Sequence, residues 1–398
     1  MRSLSARVPS CAVYEGLARW GVTVPAGICK GVGVGGHICG GGYGPLSRRH
    51  GLVADHLYGV EVVTVDAAGR AALVLATKDG PHEDLWWAHT GGGGGNFGVV
   101  TRFLLRSADS DGSDPHLALP RPPANVLSTR VLFPITTEDS FVRLLGNYLA
   151  FFHQHSEPDD AYAGLYAPLS VRTTALGSTE LLVLLDGDPR EAHDRLKAFL
   201  AAITDGVFPP PLIEPLVRMS YFDAVERIYY PKAANSPRVK IKAAYLRRPY
   251  SAEQLRTCYR HMMDVSVIGE SVLEFLPFGG AVNAVALGAT AMPARDSFMQ
   301  MLIHAAWRRP DGDEHFVTWA RRFYAELYAE TGGVPVPNER NGGSYINYPD
   351  PDLADPNWNT SGVPWHACYY GAQYQRLQRI KATWDPGTVF RHRLSVQP

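Results

Sequence analysis

The densest run of chemically suggestive residues spans positions 24–45, VPAGICKGVGVGGHICGGGYGP, in which nine of 22 residues are glycine. Glycine serves where backbone must take positive φ or approach a ligand with no side chain between them. Free N–H groups in such a run form concave nests for phosphate or for the edge of an aromatic ring. Cys29, His37, Cys39 and Tyr43 are the reactive side chains left in it. The stretch therefore combines a grip with a chemistry, a cofactor-cradling loop in outline. Near the other end, Tyr345 and Tyr348 of the YINY run supply two more phenols. On an extended strand a spacing of three puts them on opposite faces, so only one is expected to serve as a base, and both also read as core aromatics.

Gly31, Gly33 and Gly36 match the spacing of the dinucleotide-binding fingerprint. That fingerprint needs a helix to begin at the loop, with its N-terminus facing the pyrophosphate. The residues that follow, HICGGGYGP, are expected not to propagate one, since each glycine costs about 1 kcal/mol in a helix interior and proline about 3. The reading is set aside, and a Walker loop is excluded because no Gly-Lys-Ser/Thr follows. Five cysteines (Cys11, Cys29, Cys39, Cys258, Cys368) are dispersed without a CxxC pair, which argues against a disulfide framework or a structural zinc. No clustered ligands point to copper, zinc or haem, so no metal is expected. A formal net charge of -1 over 398 residues offers no field to gather nucleic acid or anionic lipid. With no apolar run long enough to span a membrane and no signal-peptide core at the start, a cytoplasmic protein with neither nucleic-acid nor membrane partners is expected.

These residues need a frame. Residues 11–20 place Val13, Leu17 and Trp20 at helical spacing before Gly21, and VTVPAG at 22–27 reads as a short strand. GVEVVTVD and AALVLAT are β-rich runs joined by DAAGR, whose Asp66 and Gly69 suit a hairpin turn. A second glycine cluster, 91–95, ends at Asn96 and leads into the strand VVTRFLLR. A floppy linker is the alternative, but a linker is seldom set between a Trp86-Trp87 pair and a Phe97-led strand. Proline and aspartate enrich residues 107–125, marking a boundary. Beyond it STRVLFPI, AGLYAPLSVRT, ELLVLLDGD, KIKAAYLRRPY, SVLEFLPFGGAVNAVA and SFMQMLIHAAW read as strands. FVRLLGNYLAFFHQHS, REAHDRLKAFLAAIT and HFVTWARRFYAELYAET read as amphipathic helices. Without strict βαβ alternation the class is α+β, with one mixed or antiparallel sheet and helices on one face. The aromatic-rich end, with AQYQRLQRIKATW as a helix, is expected to be folded and to line a cleft as much as a core.

Four runs, AGICKGVGVGGHICGGGYGPLSRRHGL, DLWWAHTGGGGGNFGVVTRF, SYINYPDPDL and YYGAQYQRLQRIKATWDPGTVFRH, together resemble the berberine-bridge-enzyme-like FAD-linked oxidases of the vanillyl-alcohol oxidase and p-cresol methylhydroxylase superfamily. The likeness runs along essentially the whole chain, and its wording is nearest to actinomycete hexose oxidases acting on glycopeptide antibiotics. It implies an FAD-binding domain at 1–108, a substrate domain at 125–340 and a segment at 341–398 returning to the FAD domain. It implies FAD held covalently through Cys29 at the flavin C6, against the commoner state of a buried free thiol, with Cys39 small and packed. Gly33, Gly35, Gly36, His37, Gly40, Gly41 and Gly42 would line the isoalloxazine and ribityl chain. Gly94, Gly95, Asn96, Val99 and Val100 would pass near the ADP half. Tyr369, Tyr370 and Gln373 would approach the flavin, with glutamine standing where the family usually carries asparagine.

The resemblance puts Tyr348 in the place of the base and Tyr43 beside it. An ordinary tyrosine has a pKa near 10, so a hydrogen bond or a cation is needed. Tyr43, Lys240, Lys242 and Arg247 are the candidates in that order, and Lys240, Lys242, Arg247 and Tyr345 are also candidates to touch substrate. The family's second flavin link, a histidine in an N-terminal subdomain, has no counterpart among the residues of this sequence, which begins inside that subdomain. A start further upstream or a truncated gene is expected, the latter exposing apolar sheet surface. The expected activity is oxidation of an alcohol, a sugar hydroxyl on a bulky glycosylated small molecule, by base-assisted hydride transfer to flavin N5 with O2 as acceptor. Dehydrogenation or cyclisation of an alkaloid or polyketide uses the same constellation. A non-catalytic remnant that binds a natural product is the distant alternative.

Overall fold

The computed structural model of the chain describes residues 2–134, 137–173, 178–187, 189–228, 238–267 and 270–398. Two sheets organise them, one on each side of the 107–125 boundary. A four-stranded sheet collects β1 (Arg2–Ser5), β2 (Leu57–Val65), β3 (Ala71–Thr77) and β4 (Val99–Leu105) in the order β1-β4-β2-β3. The β2–β3 hairpin closes where DAAGR predicts: Asp66 N–H donates to Arg70 O over 3.0 Å, and Gly69 takes a φ of 76°. Helix α1 (Ser10–Ala18) buries Val13, Tyr14 and Leu17, while Trp20 lies beyond it and is exposed. On the sheet's outer face Leu73, Leu75 and Val99 are exposed.

Residues 22–27, expected as a strand, are extended but join no sheet, and Thr23 N–H donates to Pro120 O instead. VGGHIC forms a helix, α2 (Val34–Cys39), despite its two glycines. Val34 and Ile38 are buried on one side of it, and burying such side chains contributes about 1.5–3 kcal/mol each, more than the glycines cost. The helix stops at Gly40, and Gly41 and Gly42 take φ of 114° and 71°.

The second sheet has nine strands among the described residues. Its six longest are β5 (Val126–Phe133), β6 (Leu169–Arg172), β7 (Thr179–Asp186), β8 (Arg238–Leu246), β9 (Val272–Pro277) and β10 (Met299–Trp307). They lie in the order β5-β7-β6-β9-β10-β8, each pair antiparallel. Ile135, the end of one predicted strand run, lies outside the described residues. Helices α3 (Glu138–Gln154), α4 (Pro189–Thr204), α5 (Ala252–Met262) and α6 (Asp313–Leu327) cover one face. Thr137 caps α3 and a Ser251–Gln254 capping box opens α5, each such cap contributing about 1 kcal/mol. Strand alternation sends Ala244, Phe275 and Met301 toward the helices. It sends Ala243, Tyr245, Leu276 and Leu302 the other way, where they meet Tyr43, Leu46 and Leu52 in a separate apolar cluster.

The final segment closes the frame with α7 (Trp365–Tyr370) and α8 (Tyr374–Trp384). Lys381 is fully buried, and its Nζ donates to Asn96 O and Phe390 O, both at 2.6 Å, and to Asp385 at 2.5 Å. Val396 N–H donates to Asn96 Oδ1 over 3.0 Å. The exit of the second glycine cluster is thus held from the far end of the chain. No helix among the described residues is long and apolar enough to cross a membrane.

Removing one partner of a buried ion pair strands the other charge at a cost of about 3–5 kcal/mol. Lys381→Met is expected to lose about that much stability in urea unfolding. Lys30→Met, which breaks a pair with the exposed Glu226, is expected to stay within about 1 kcal/mol of the parent.

Candidate active site

The two glycine clusters meet across the fold. Gly93 N–H donates to Cys39 O over 2.9 Å, and a Cβ placed on Gly94 would stand 3.5 Å from Gly36 Cα. Gly33, Gly36 and Gly95 are exposed, and a Cβ on Gly33 or Gly36 would meet nothing within 4 Å. Bare backbone therefore lines an open trough. Elsewhere the loop is glycine because of packing: a Cβ on Gly40 would fall 2.2 Å from Asn347 Oδ1, and one on Gly44 would fall 1.8 Å from Ala26 O. His37 of α2 accepts from Gly27 N–H at Nε2 over 3.0 Å, which puts its proton on Nδ1 and clasps the helix to the segment carrying Cys29. Cys29 is exposed, yet enough protein surrounds it that lost hydration, and then the Glu274 carboxylate, raise its thiol pKa.

Tyr345 and Tyr348 do not lie on a strand. The segment turns between them, Tyr348 N–H donating to Tyr345 O over 2.9 Å, so the rings come together with centroids 5.4 Å apart instead of facing opposite ways. Tyr345 Oη accepts from Gly42 N–H at 3.1 Å and from Asn347 Nδ2 at 2.8 Å. Asn347 Nδ2 also donates to His37 O. The Tyr348 hydroxyl is left to Tyr43, 3.1 Å away. Tyr43 stands edge-on to Tyr345 and Phe278. Burial raises the pKa of both phenols in the pair, while their shared hydrogen bond pulls Tyr348 down and pushes Tyr43 up.

The expected cations do not reach this pair. With Ile241, Ala243 and Tyr245 facing the site, the period of two on β8 turns Lys240 and Lys242 away. Lys240 lies 2.6 Å from Asp350 and Lys242 2.7 Å from Asp352, which Arg321 also grips. Arg247 is engaged by Asp296 and by Asn338 O. Tyr369 and Tyr370 back the site from within the core. Tyr369 Oη accepts from Asp350 N–H and donates to Tyr348 O, and Tyr370 Oη donates to Gly92 O. Gln373 is partly exposed just before α8, and Val99 and Val100 run away from the trough along β4.

Sequence reasoning missed Asn347, whose role depends on a turn that nothing in YINY announces. It also missed Glu274, the one charged residue in SVLEFLPF. That carboxyl lies partly exposed on the site face of β9, pushed up to about 7 by burial against a hydrogen bond with Ser170 that lowers it.

A side-chain-free trough ending at a thiol and a pair of phenols fits a flat, ring-bearing cofactor such as FAD. Residues 344–397 match the family model described as "Berberine and berberine like". Over 388 residues the chain is 46% identical to the aclacinomycin-N/aclacinomycin-A oxidase of Streptomyces galilaeus, spanning 95% of this chain and 70% of that protein. It is similar to the solved structure of CrmK, a flavoenzyme involved in shunt product recycling in caerulomycin biosynthesis, with a TM-score of 0.97 and 45% identity over all of this chain and 81% of that one. It is likewise similar to the glycopeptide hexose oxidase DBV29 complexed with teicoplanin, with a TM-score of 0.95 and 42% identity over all of this chain and 80% of that one.

Burial pushes His37, His50 and His89 each down to about 4. A group with a depressed folded pKa stabilises the fold above its unfolded pKa and loses that contribution as pH falls toward the folded value. The melting temperature is expected to drop between pH 6.5 and 4, and His37→Gln to drop less steeply than the parent when both are scanned by calorimetry.

Proposed function

Because the chain belongs to the berberine-bridge-enzyme-like FAD-linked oxidases, we propose that it oxidises a sugar hydroxyl of a glycosylated natural product, with Tyr348 as the base. The observation that carries this reading is the Tyr43–Tyr348 hydrogen bond at 3.1 Å, set opposite the glycine trough. Backbone of residues 33–42 and 94–95 would hold FAD and Cys29 would tether it; when bound, FAD would supply the hydride acceptor, with O2 as the final acceptor. A neutral alcohol is a weak hydride donor and an alkoxide a far better one, so Tyr348 must take the hydroxyl proton as the hydride leaves. Tyr43 donates to the Tyr348 oxygen and offsets part of the burial that opposes a phenolate. Tyr345 and Asn347 keep the pair in place through Gly42 and His37.

The cleft floor supports a substrate that joins an apolar body to sugars. Leu182, Ile241 and Val272 are partly exposed on it beside Ser170, Glu274 and His304. The named substrates of the aclacinomycin and glycopeptide oxidases point the same way.

Tyr348→Phe, loaded with flavin, is expected to keep its yellow spectrum and to lose about 10²–10⁴-fold in kcat on any sugar the parent oxidises. Unchanged turnover would remove Tyr348 as the base. Acid precipitation is expected to leave flavin on the parent and release it from Cys29→Ala.

A further inference from the structure

We propose that Glu274 selects the substrate by taking the ammonium group of an amino sugar. The proposal rests on the oxidase reading of the same site and adds a substrate class to it. On β9, Val272, Glu274 and Leu276 face the cleft, with Glu274 paired in register to Ser170 on β6 and to Leu302 on β10. Its charge reaches Cys29 and Tyr348, raising the pKa of each.

The charges around it are already spoken for. On the same face Glu180 is met by Arg130 and Arg172. Lys240 and Lys242 are held by Asp350 and Asp352 on the other side of the sheet. Among the described residues no ion pair reaches Glu274. The groups that face it are Ser170 from β6, Cys29 from the glycine loop, Tyr348 from the final segment and Tyr148 from α3 behind, with His304 further along β10. His304 is kept neutral near pH 7 because burial lowers its pKa.

A carboxylate short of hydration and without a counter-charge is costly to ionise. A cation brought by the ligand relieves that cost, whereas a hydroxyl offers only a hydrogen bond. Flanking CH surface from Leu182, Ile241 and Val272 suits a pyranose ring. Since burial pushes the free carboxyl up to about 7 and a neighbouring ammonium favours its ionised form, binding must release a proton below about pH 7. Affinity for the amine must therefore rise from pH 5 toward pH 7, above which the sugar ammonium itself begins to deprotonate.

The test is titration calorimetry of the FAD-loaded protein with methyl α-glucosaminide and with its N-acetyl derivative, in two buffers of different ionisation enthalpy. A charge-assisted contact of this kind predicts about tenfold tighter binding of the amine at about pH 6.5, where the sugar ammonium is intact. It also predicts proton release with the amine alone. Glu274→Gln is expected to bring the preference near parity, and Glu274→Asp to keep part of it. Equal affinities, no measurable binding of either sugar, or no proton release in the parent would each overturn the proposal, even if Glu274→Gln fails to fold. Amine preference without aerobic oxidation of either sugar would uphold Glu274 and remove the oxidase reading. Oxidation of both without preference would do the reverse.

Discussion

One phenolic oxygen, that of Tyr345, receives donors from the two ends of the chain. A buried backbone N–H must find an acceptor, and for Gly42 the acceptor is this oxygen, 303 residues away. The glycine loop therefore cannot settle into its final path until the YINY segment is in place. Once it is, the turn that brings Tyr348 beside Tyr345 also delivers it to Tyr43. The geometry of the phenol pair follows from the need to satisfy one main-chain donor.

The nine-stranded sheet separates support from chemistry by its period of two. On one side lie helices and the cluster of Lys240, Lys242, Asp350, Asp352 and Arg321, which anchors the chain two residues beyond Tyr348. Such pairs are dehydrated and not strong sources of stability, but they restrict where the segment can lie. On the other side charges are sparse, so each one that remains in the cleft has a large effect on its neighbours. The aromatic rings of Tyr43, Tyr245, Phe278 and Tyr345 fill the space between sheet and loop, edge to face except for the tilted Tyr245–Phe278 pair.

Much of this was legible in residue order. Turn chemistry placed the hairpin at Asp66–Gly69, and three-to-four spacing placed the long helices, because those signals act within a few residues. Helix α2 escaped because local propensity argues against VGGHIC, and only contacts made by Val34 and Ile38 across the fold override it. The lysines of β8 were misassigned for want of the strand's phase: charge suggested the site, and alternation sent them elsewhere. Tyr345 and Tyr348 were separated by assuming an extended backbone where a turn exists. The likeness of four distant motifs supplied the cofactor class and the proposal of Tyr348 as base, which spacing alone does not give. Neither it nor spacing pointed to Asn347 or Glu274.

Asn96 has a further consequence, in time instead of space. Its carbonyl waits for Lys381 and its side chain for Val396. A ribosome adding about 5–20 residues per second needs roughly 15–60 s to travel from one to the other. Through that interval Asn96 carries unsealed polar groups, and contacts of such long sequence separation are the slow ones to form. The exit of the second glycine cluster is thus made long before the residues that close it and stays unsealed until they emerge.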